Sequence, residues 1–407
     1  MKVLLVHNSY GSSAPSGENT VVEAEAELLR SNGVDVVEYF RYSDSIRGMG
    51  WLGEIIGGMA TPFNPFSYFR IRRVLRRERP DVVHVHNFFP LVSPAVFFAT
   101  SHEKVPVVMT LHNYRLGCGA GLPFRNEAVC MKCLVSKTVW PLLRYRCYRN
   151  SFVASIPMAA MIALHRWLGT WQHKIDLFIS LTGFQAKVMD EIGLIPMAMS
   201  RMKPQFMKNP PDMIPFSMRN NRVIFIGRVS KEKGLAVLLE AWKAWGTDAP
   251  ELVIVGDGPD LPGLRERFAG IKARWLGKLK PLETIEELGK SQLLVFPSIC
   301  FEGSPMVIRE ALACGVPILA SNIGPMSELV LPAYGQLFIA GDSPDLLAHA
   351  RAMLTNQAEP LKGKAAAARL EFDQKYTAEQ NFVRLMDIYQ EAIEKLATKV
   401  FQGRNAS

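Results

Sequence analysis

The feature that most restricts this chain is an alternation of strand and helix patterns that runs through it twice, with a proline-rich break between. Lys2–Val6 is an unbroken apolar run, Gly17–Arg30 has helical spacing, and Val34–Phe40 returns to a strand. A basic helix at 67–79, the strand Asp81–His86, a helix near 93–101 and the strands Val105–Thr110 and Ile175–Leu181 continue the pattern. Apolar strands alternating with helices predict a parallel sheet covered on both faces. Asn209–Pro215 (NPPDMIP) then puts three prolines in seven positions. Neither a helix nor a central strand tolerates this, because each proline lacks the N–H that both would use. Beyond it the alternation restarts with Arg222–Ile226, the helix Leu235–Trp245, and the strands Glu251–Val255, Leu293–Phe296 and Val316–Ala320.

At 407 residues the chain exceeds one ordinary core. The expected class is therefore α/β, with two Rossmann-like doubly wound domains. The first covers 1–208 with a four-cysteine insert at 114–150, a linker follows at 209–215, and the second covers 216–380. From Leu370 to about Thr398 the spacing is helical, with no strand after it.

Composition excludes a disordered chain, since 48% of residues are hydrophobic and 21% charged. The start, MKVLLVHNSY, reads as a buried strand rather than a signal peptide. The longest apolar stretch, Ser151–Leu164, is short of the roughly 20 residues that cross a bilayer, so no span is expected. Net charge is +9, and all of the excess lies in residues 1–210. It concentrates at Arg70, Arg72, Arg73, Arg76, Arg77 and Arg79, and in the acid-free stretch Ala128–Ile175. That stretch interleaves its basic residues with Trp140, Tyr145, Tyr148, Phe152, Trp167 and Trp171, a mix suited to an anionic membrane surface. No nucleic-acid-binding motif accompanies the charge, so nucleic acid is not an expected partner.

The strongest local signal is Phe301–Pro317, FEGSPMVIREALACGVP. Ser304 and Pro305 read as N-cap and first helical residue, and Gly315 with Pro317 as the stop, giving a helix from about 305 to 314. Its free N–H groups would face the end of the strand Leu293–Phe296, where open α/β sheets bind phosphates. Glu302 lies just before that helix and Glu310 on its second turn, and carboxylates there suit the hydroxyls of a sugar or ribose. A second loop, Gly227–Gly234 (GRVSKEKG), leaves the strand Arg222–Ile226 carrying Arg228 and Lys233. Two such cations can neutralise a departing diphosphate, as a metal ion does elsewhere. The first strand ends in His7-Asn8-Ser9-Tyr10-Gly11 rather than G-x-G-x-x-G, which argues against a nicotinamide dehydrogenase. Gly17, opening a helix after a Ser/Gly loop, offers backbone to a diphosphate instead.

His84 and His86 end one strand of the first half. His112 falls just past another, toward the presumed cleft. Cys118, Cys130, Cys133 and Cys147 are spaced C-x11-C-x2-C-x13-C, and in a cytoplasmic chain such a cluster is more readily a structural zinc site than a disulfide pair. A packed thiol cluster remains the alternative.

Taken together, GRVSKEKG, FEGSPMVIREALACGVPILAS with its E-x7-E, VGDGP at 255–259 and SNIGPMSE at 321–328 resemble the family 4 glycosyltransferases of the GT-B fold. The resemblance covers most of the chain. It implies two domains facing a central cleft, with part of the C-terminal segment, 381–407, crossing back onto the first. It further implies that Arg228 and Lys233 hold the donor diphosphate, that Glu302 meets the donor sugar, and that Glu310 meets the ribose. By the same resemblance Gly303, Ser304, Pro305, Met306 and Val307 line the donor pocket, His112 lies beside the sugar, and Gly17 approaches the phosphates. Such enzymes usually retain anomeric configuration and need no metal for catalysis.

Gly303-Ser304-Pro305-Met306 departs from the family's usual glycine and aromatic, which alters the sugar pocket. The four-cysteine insert resembles a bacterial subset linked to exopolysaccharide, capsule or O-antigen assembly. The expected donor is a nucleoside diphosphate sugar of UDP or GDP type. The expected acceptor is a glycan, carried on a polyprenyl diphosphate at the inner face of the plasma membrane. A nucleotide-sugar epimerase, a phosphorylase with lysine-bound pyridoxal phosphate, and a non-catalytic nucleotide-sugar-binding protein are the other readings the residues allow.

Overall fold

The computed structural model describes residues 1–9, 17–354 and 358–405. The Ser/Gly loop before Gly17 lies outside them. The chain forms two compact units. Met1–Pro123, Met131–Gln205 and Asn381–Ser407 make one, and Phe124–Cys130 with Phe206–Gln380 make the other.

The first unit is built on a parallel six-stranded sheet. Its strands lie in the order Asp35–Tyr42, Lys2–Ser9, Val82–Asn87, Val107–Leu111, Leu177–Ser180, Ser200–Met202. The apolar run of the first strand is fully buried, as expected of a central parallel strand. On one side lies the helix Gly17–Ser31. The final helix, Ala378–Asn405, adds Leu385, Ile388, Tyr389 and Ala392 to the same core as Val3, Leu5, Ala26, Val108 and Ile179. Those four fall at positions i, i+3, i+4 and i+7, one face of a helix.

The second unit repeats the theme in the order Ala273–Gly277, Glu251–Val255, Asn220–Ile226, Ser291–Phe296, Ile318–Ser321, Gly335–Phe338, again all parallel. Its helices bury Leu235, Leu238, Leu239 and Trp242 on one face and Ile308, Ala311, Leu312, Ala368 and Phe372 on the other.

The expected strands and helices are present, and three strands of the two parallel sheets were missed, Ser200–Met202, Ala273–Gly277 and Gly335–Phe338, as was the short antiparallel ribbon of Phe124–Arg125 and Ala128–Val129. All three sit at sheet edges and are short or only partly buried, so they carry no continuous apolar run. The proline run Asn209–Pro215 contains no helix or strand, and the segment of the first unit that precedes it ends at Gln205. The apolar stretch from Ser151 is the helix Phe152–Trp167, and among the described residues no helix is long and apolar enough to cross a membrane.

Candidate donor site and the histidine cluster

In the second unit the sheet order reverses between Asn220–Ile226 and Ser291–Phe296. Helices leaving two such neighbours pass to opposite faces, which opens a crevice at the strands' carboxyl ends. The segments that leave these two strands are Gly227–Gly234, singled out by sequence, and Pro297–Pro305, which runs into the other segment singled out, Phe301–Pro317. Backbone and side chain stitch them together. Ile299 N donates to Glu232 O at 2.9 Å, and Ser298 Oγ donates to the same carbonyl at 3.0 Å.

Lys233 Nζ donates to Glu302 Oε1 at 2.7 Å, and Ser298 Oγ donates to that oxygen at 2.8 Å. Burial opposes the Lys233 charge, but the Glu302 carboxylate more than offsets it, and the lysine is held above its ordinary range. Arg228 is exposed and makes no ion pair among the described residues, so its guanidinium is available to a ligand. The buried Ser298, which orients Glu302, was missed by sequence reasoning; a lone serine after a strand carries no signal.

Glycines explain why these loops can lie so close. Gly234 has φ +67°, and a Cβ there would come within 1.9 Å of Pro297 O. In VGDGP, a Cβ on Gly258 would come within 2.2 Å of Val229 O. That loop is zipped to the cationic one by Gly227 N to Val255 O at 3.0 Å and Val229 N to Asp257 O at 3.0 Å. The motif is thus a packing device for the loop that carries Arg228 and Lys233.

The helix after Glu302 runs Met306–Ala313. Its N-cap is Pro305, which has no side chain to accept a bond, so the expectation that Ser304 caps and Pro305 opens the helix is corrected by one residue. The proline ring holds φ at −65° while ψ of 123° keeps the residue extended, and the first helical turn begins only beyond it. Ile308 N reaches Pro305 O at 3.2 Å, which leaves the N–H groups of Met306 and Val307 ahead of the first intrahelical bond. Gly303, Ser304, Pro305 and Met306 are half-buried around that end, whereas Val307 is buried. Glu310 follows one turn on. Burial pushes its carboxyl above the usual carboxylate range, and Arg309 counters this only in part.

In the first unit, Gly17 is the exposed first residue of its helix, and His112 follows the strand Val107–Leu111. His112 does not stand alone. Its Nε2 lies 3.1 Å from His86 Nδ1, and His86 Nε2 lies 3.1 Å from Glu25 Oε1. His84 Nδ1 approaches the same oxygen at 3.1 Å, and Lys203 Nζ donates to Glu25 Oε2 at 2.8 Å. Desolvation, helped by the neighbouring His84, lowers His86 to about 4 even though Glu25 opposes the shift. His112 is likewise held well below its ordinary value by burial, then by His86 and His7. Glu25 was missed, although a signal existed: Val21, Val22, Leu28 and Leu29 place it in the middle of its helix's apolar face. For Lys203, which follows a short edge strand, the sequence offers none.

Cys118 Sγ lies 3.8 Å from Leu122 O, and Cys147 Sγ lies 3.9 Å from Pro141 O. Among the described residues the ligand atoms close enough to share an ion are those of Glu25, His84 and His86, not a set among Cys118, Cys130, Cys133 and Cys147.

The basic region also sorts differently from its sequence. Arg72 and Arg76 pair with Glu103, and Arg77 with Glu78, while Arg70, Arg73 and Arg79 make no ion pair among the described residues. Trp171 is a fully buried core residue stacked on Phe88. Two helices nevertheless expose apolar faces. Gly50–Ala60, not expected from sequence, presents Trp51 (69% exposed), Ile55 and Met59 (76%), and Phe152–Trp167 presents Val153, Ile156 and Trp167 (81%). They meet where Gly58 faces the Pro157 ring. On the helix Pro65–Glu78, the exposed Phe66, Phe69, Arg70 and Arg73 share one face.

Two Rossmann-like units, the second with a cationic, carboxylate-bearing crevice at its switch point, define a GT-B glycosyltransferase. Known proteins agree. A model of glycosyltransferase family 4 matches residues 15–194, and one of glycosyl transferases group 1 matches 220–356. The chain belongs to glycosyltransferase family 4. It is 27% identical over 400 residues to a phosphatidyl-myo-inositol mannosyltransferase of Mycobacterium leprae, covering 94% of each chain. TuaC of Bacillus subtilis, named for teichuronic acid biosynthesis, is 23% identical over 380 residues, covering 86% of this chain and 88% of that one. The sulfoquinovosyl transferase SQD2 of Arabidopsis thaliana is 24% identical over 317 residues. That match covers 74% of this chain but only 55% of the plant protein. Among solved structures, Anabaena HepE in complex with UDP superposes with a TM-score of 0.62 at 16% identity, covering 98% and 100% of the two chains.

Proposed function

We propose that this enzyme moves a sugar from a nucleoside diphosphate sugar, of UDP or GDP type, to a hydroxyl of a glycan or lipid-linked glycan, with retention, in the synthesis of a cell-surface polysaccharide. The observation that carries the reading is the Lys233–Glu302 pair at the switch point, with unpaired Arg228 on the same loop. As the diphosphate leaves, its charge is met by Arg228, by Lys233 and by the N–H groups at the start of Met306–Ala313. Two cations and a helix end replace a metal ion there. Glu302 uses Oε1 for Lys233 and Ser298, and its second oxygen accepts from the donor sugar. Glu310 accepts from the ribose, and His112 contributes beside the sugar. The UDP held by the Anabaena protein supports a nucleoside diphosphate donor, and TuaC supports a polymer product.

The acceptor reading rests on the apolar faces of Gly50–Ala60 and Phe152–Trp167, together with Arg70 and Arg73 of the same unit, which make no ion pair among the described residues; such a surface suits the inner, anionic face of a membrane. The lipid in the name of the mycobacterial relative supports this placement.

The test is the double variant Arg228→Ala/Lys233→Ala, compared with wild type in a thermal-shift panel of nucleoside diphosphates and in donor turnover. Each charge-assisted contact with phosphate is worth ~1.5–3 kcal/mol, so kcat/KM should fall about 100-fold or more. Unchanged donor binding and turnover would reject the reading.

A further inference from the structure

We propose that Glu25, His86 and His112 form a positioning relay that holds His112 in a single tautomer and leaves its Nδ1 as a bare acceptor for a hydroxyl of the donor. The proposal rests on the reading of His112 given above and deepens it. The three residues come from separate elements of the first unit: the helix Gly17–Ser31, the strand Val82–Asn87, and the residue just beyond Val107–Leu111.

The relay follows from hydrogen positions that the partners dictate. Lys203 Nζ donates to Glu25 Oε2 at 2.8 Å and to Asn381 Oδ1 at 3.0 Å, so Glu25 faces the histidines as a carboxylate that can only accept. His86 Nε2 is buried and has no partner other than Glu25 Oε1 at 3.1 Å, and a bare nitrogen there would face the carboxylate lone pair to lone pair. His86 therefore carries its proton on Nε2, and its Nδ1 accepts. His112 Nε2, 3.1 Å from that Nδ1, must then be the donor, which leaves His112 Nδ1 unprotonated.

His84 fits the same scheme. Its Nδ1 bonds with Tyr389 Oη at 2.7 Å and lies 3.1 Å from Glu25 Oε1, and its Nε2 bonds with Thr110 Oγ1 at 2.7 Å, so it borders the same carboxylate. The charged or titratable groups facing the relay are thus His7, His84, Lys203 and Tyr389, and burial favours the neutral form of His86 and His112. The Lys203 ammonium on Glu25 also makes this cluster a poor metal site, because a divalent ion at Glu25, His84 and His86 would sit beside a fixed positive charge.

The experiment labels the histidines with nitrogen-15 and reads their tautomers from long-range proton–nitrogen correlations, with the His112 signal assigned by its loss in His112→Gln. Wild type should show His112 with a protonated Nε2 and a bare Nδ1 at neutral pH; the opposite tautomer overturns the relay. In Glu25→Gln, Lys203 still requires an acceptor, so the amide carbonyl turns toward it and the NH2 toward the histidines. His86 must then accept at Nε2 and donate from Nδ1, and His112 must carry its proton on Nδ1. This variant should invert the His112 tautomer and lower kcat/KM about tenfold, the worth of one hydrogen bond in the transition state. An unchanged tautomer in Glu25→Gln overturns the proposal.

If that variant does not fold, His86→Phe keeps the ring and removes the acceptor. His112 should then populate both tautomers, and a single tautomer overturns the relay. A His112→Gln enzyme with unaltered turnover would remove the donor-contact reading and with it the role of Nδ1, while the wild-type spectrum still decides whether the relay exists.

Discussion

At the scale of single residues, what governs this enzyme is which polar atoms are brought together without water. Lys233 and Glu302 are far apart in sequence, yet at 2.7 Å each fixes the other's direction, and the carboxylate favours the charged lysine. Gly234, next to Lys233, shows how tight that geometry is. Gly234→Ala would force a Cβ to 1.9 Å from Pro297 O at a φ that disfavours any side chain. We expect a loss of about 2 kcal/mol or more, seen as a Tm lowered by several degrees in calorimetry, together with weaker donor binding. Of the residues named from sequence, Arg228, Lys233 and Glu302 were legible because they sit in two motifs that end strands. Ser298 and Lys203 were not, because an isolated polar residue gives no sign of what it will touch.

At the scale of elements, local pattern and tertiary context diverge most in the basic half of the first unit. The arginine helix was readable as a charged face, but Glu103 and Glu78 neutralise part of it. The stronger surface feature is the pair of helices carrying Trp51 and Trp167, each exposing apolar side chains that a water-facing helix would replace. Wild-type protein should sediment with anionic liposomes at low salt and be released at high salt. The variant Trp51→Glu/Trp167→Glu should bind them at least about tenfold more weakly, since burying one large apolar side chain is worth ~1.5–3 kcal/mol. Turnover on a short water-soluble acceptor should be unchanged, and equal liposome binding by variant and wild type would remove the membrane reading. The helix Gly50–Ala60 escaped the sequence reading because its four glycines weaken a helical signal.

At the scale of the whole molecule, the buried histidine cluster ties stability to pH. His7 and His86 titrate at about 4 in the folded chain, against an ordinary 6.5, chiefly because burial disfavours the charged ring. As pH falls, the unfolded chain therefore takes up these protons first. Stability should be level above pH 6.5 and decline steadily as pH falls from 6.5 to 4. Glu25, held well below 4.5 by Lys203 and the histidines against its own burial, adds a further loss below that value. Urea midpoints measured across this range test the sign; stability that rises on acidification would contradict the cluster's geometry.

Strand period and helix face are properties of a few consecutive residues. The amino-acid sequence by itself therefore determined the two α/β units, their edges excepted, and the segments carrying Arg228, Lys233, Glu302 and Glu310. The same holds for the helical C-terminus. Strand order is not local, and it alone puts Gly227–Gly234 beside Pro297–Pro305. It likewise gathers Glu25, His84, His86, His112, Lys203 and Asn381 around one buried carboxylate. A charge can be buried only where its partners arrive from other elements. Which polar residues leave water was therefore decided by the tertiary fold.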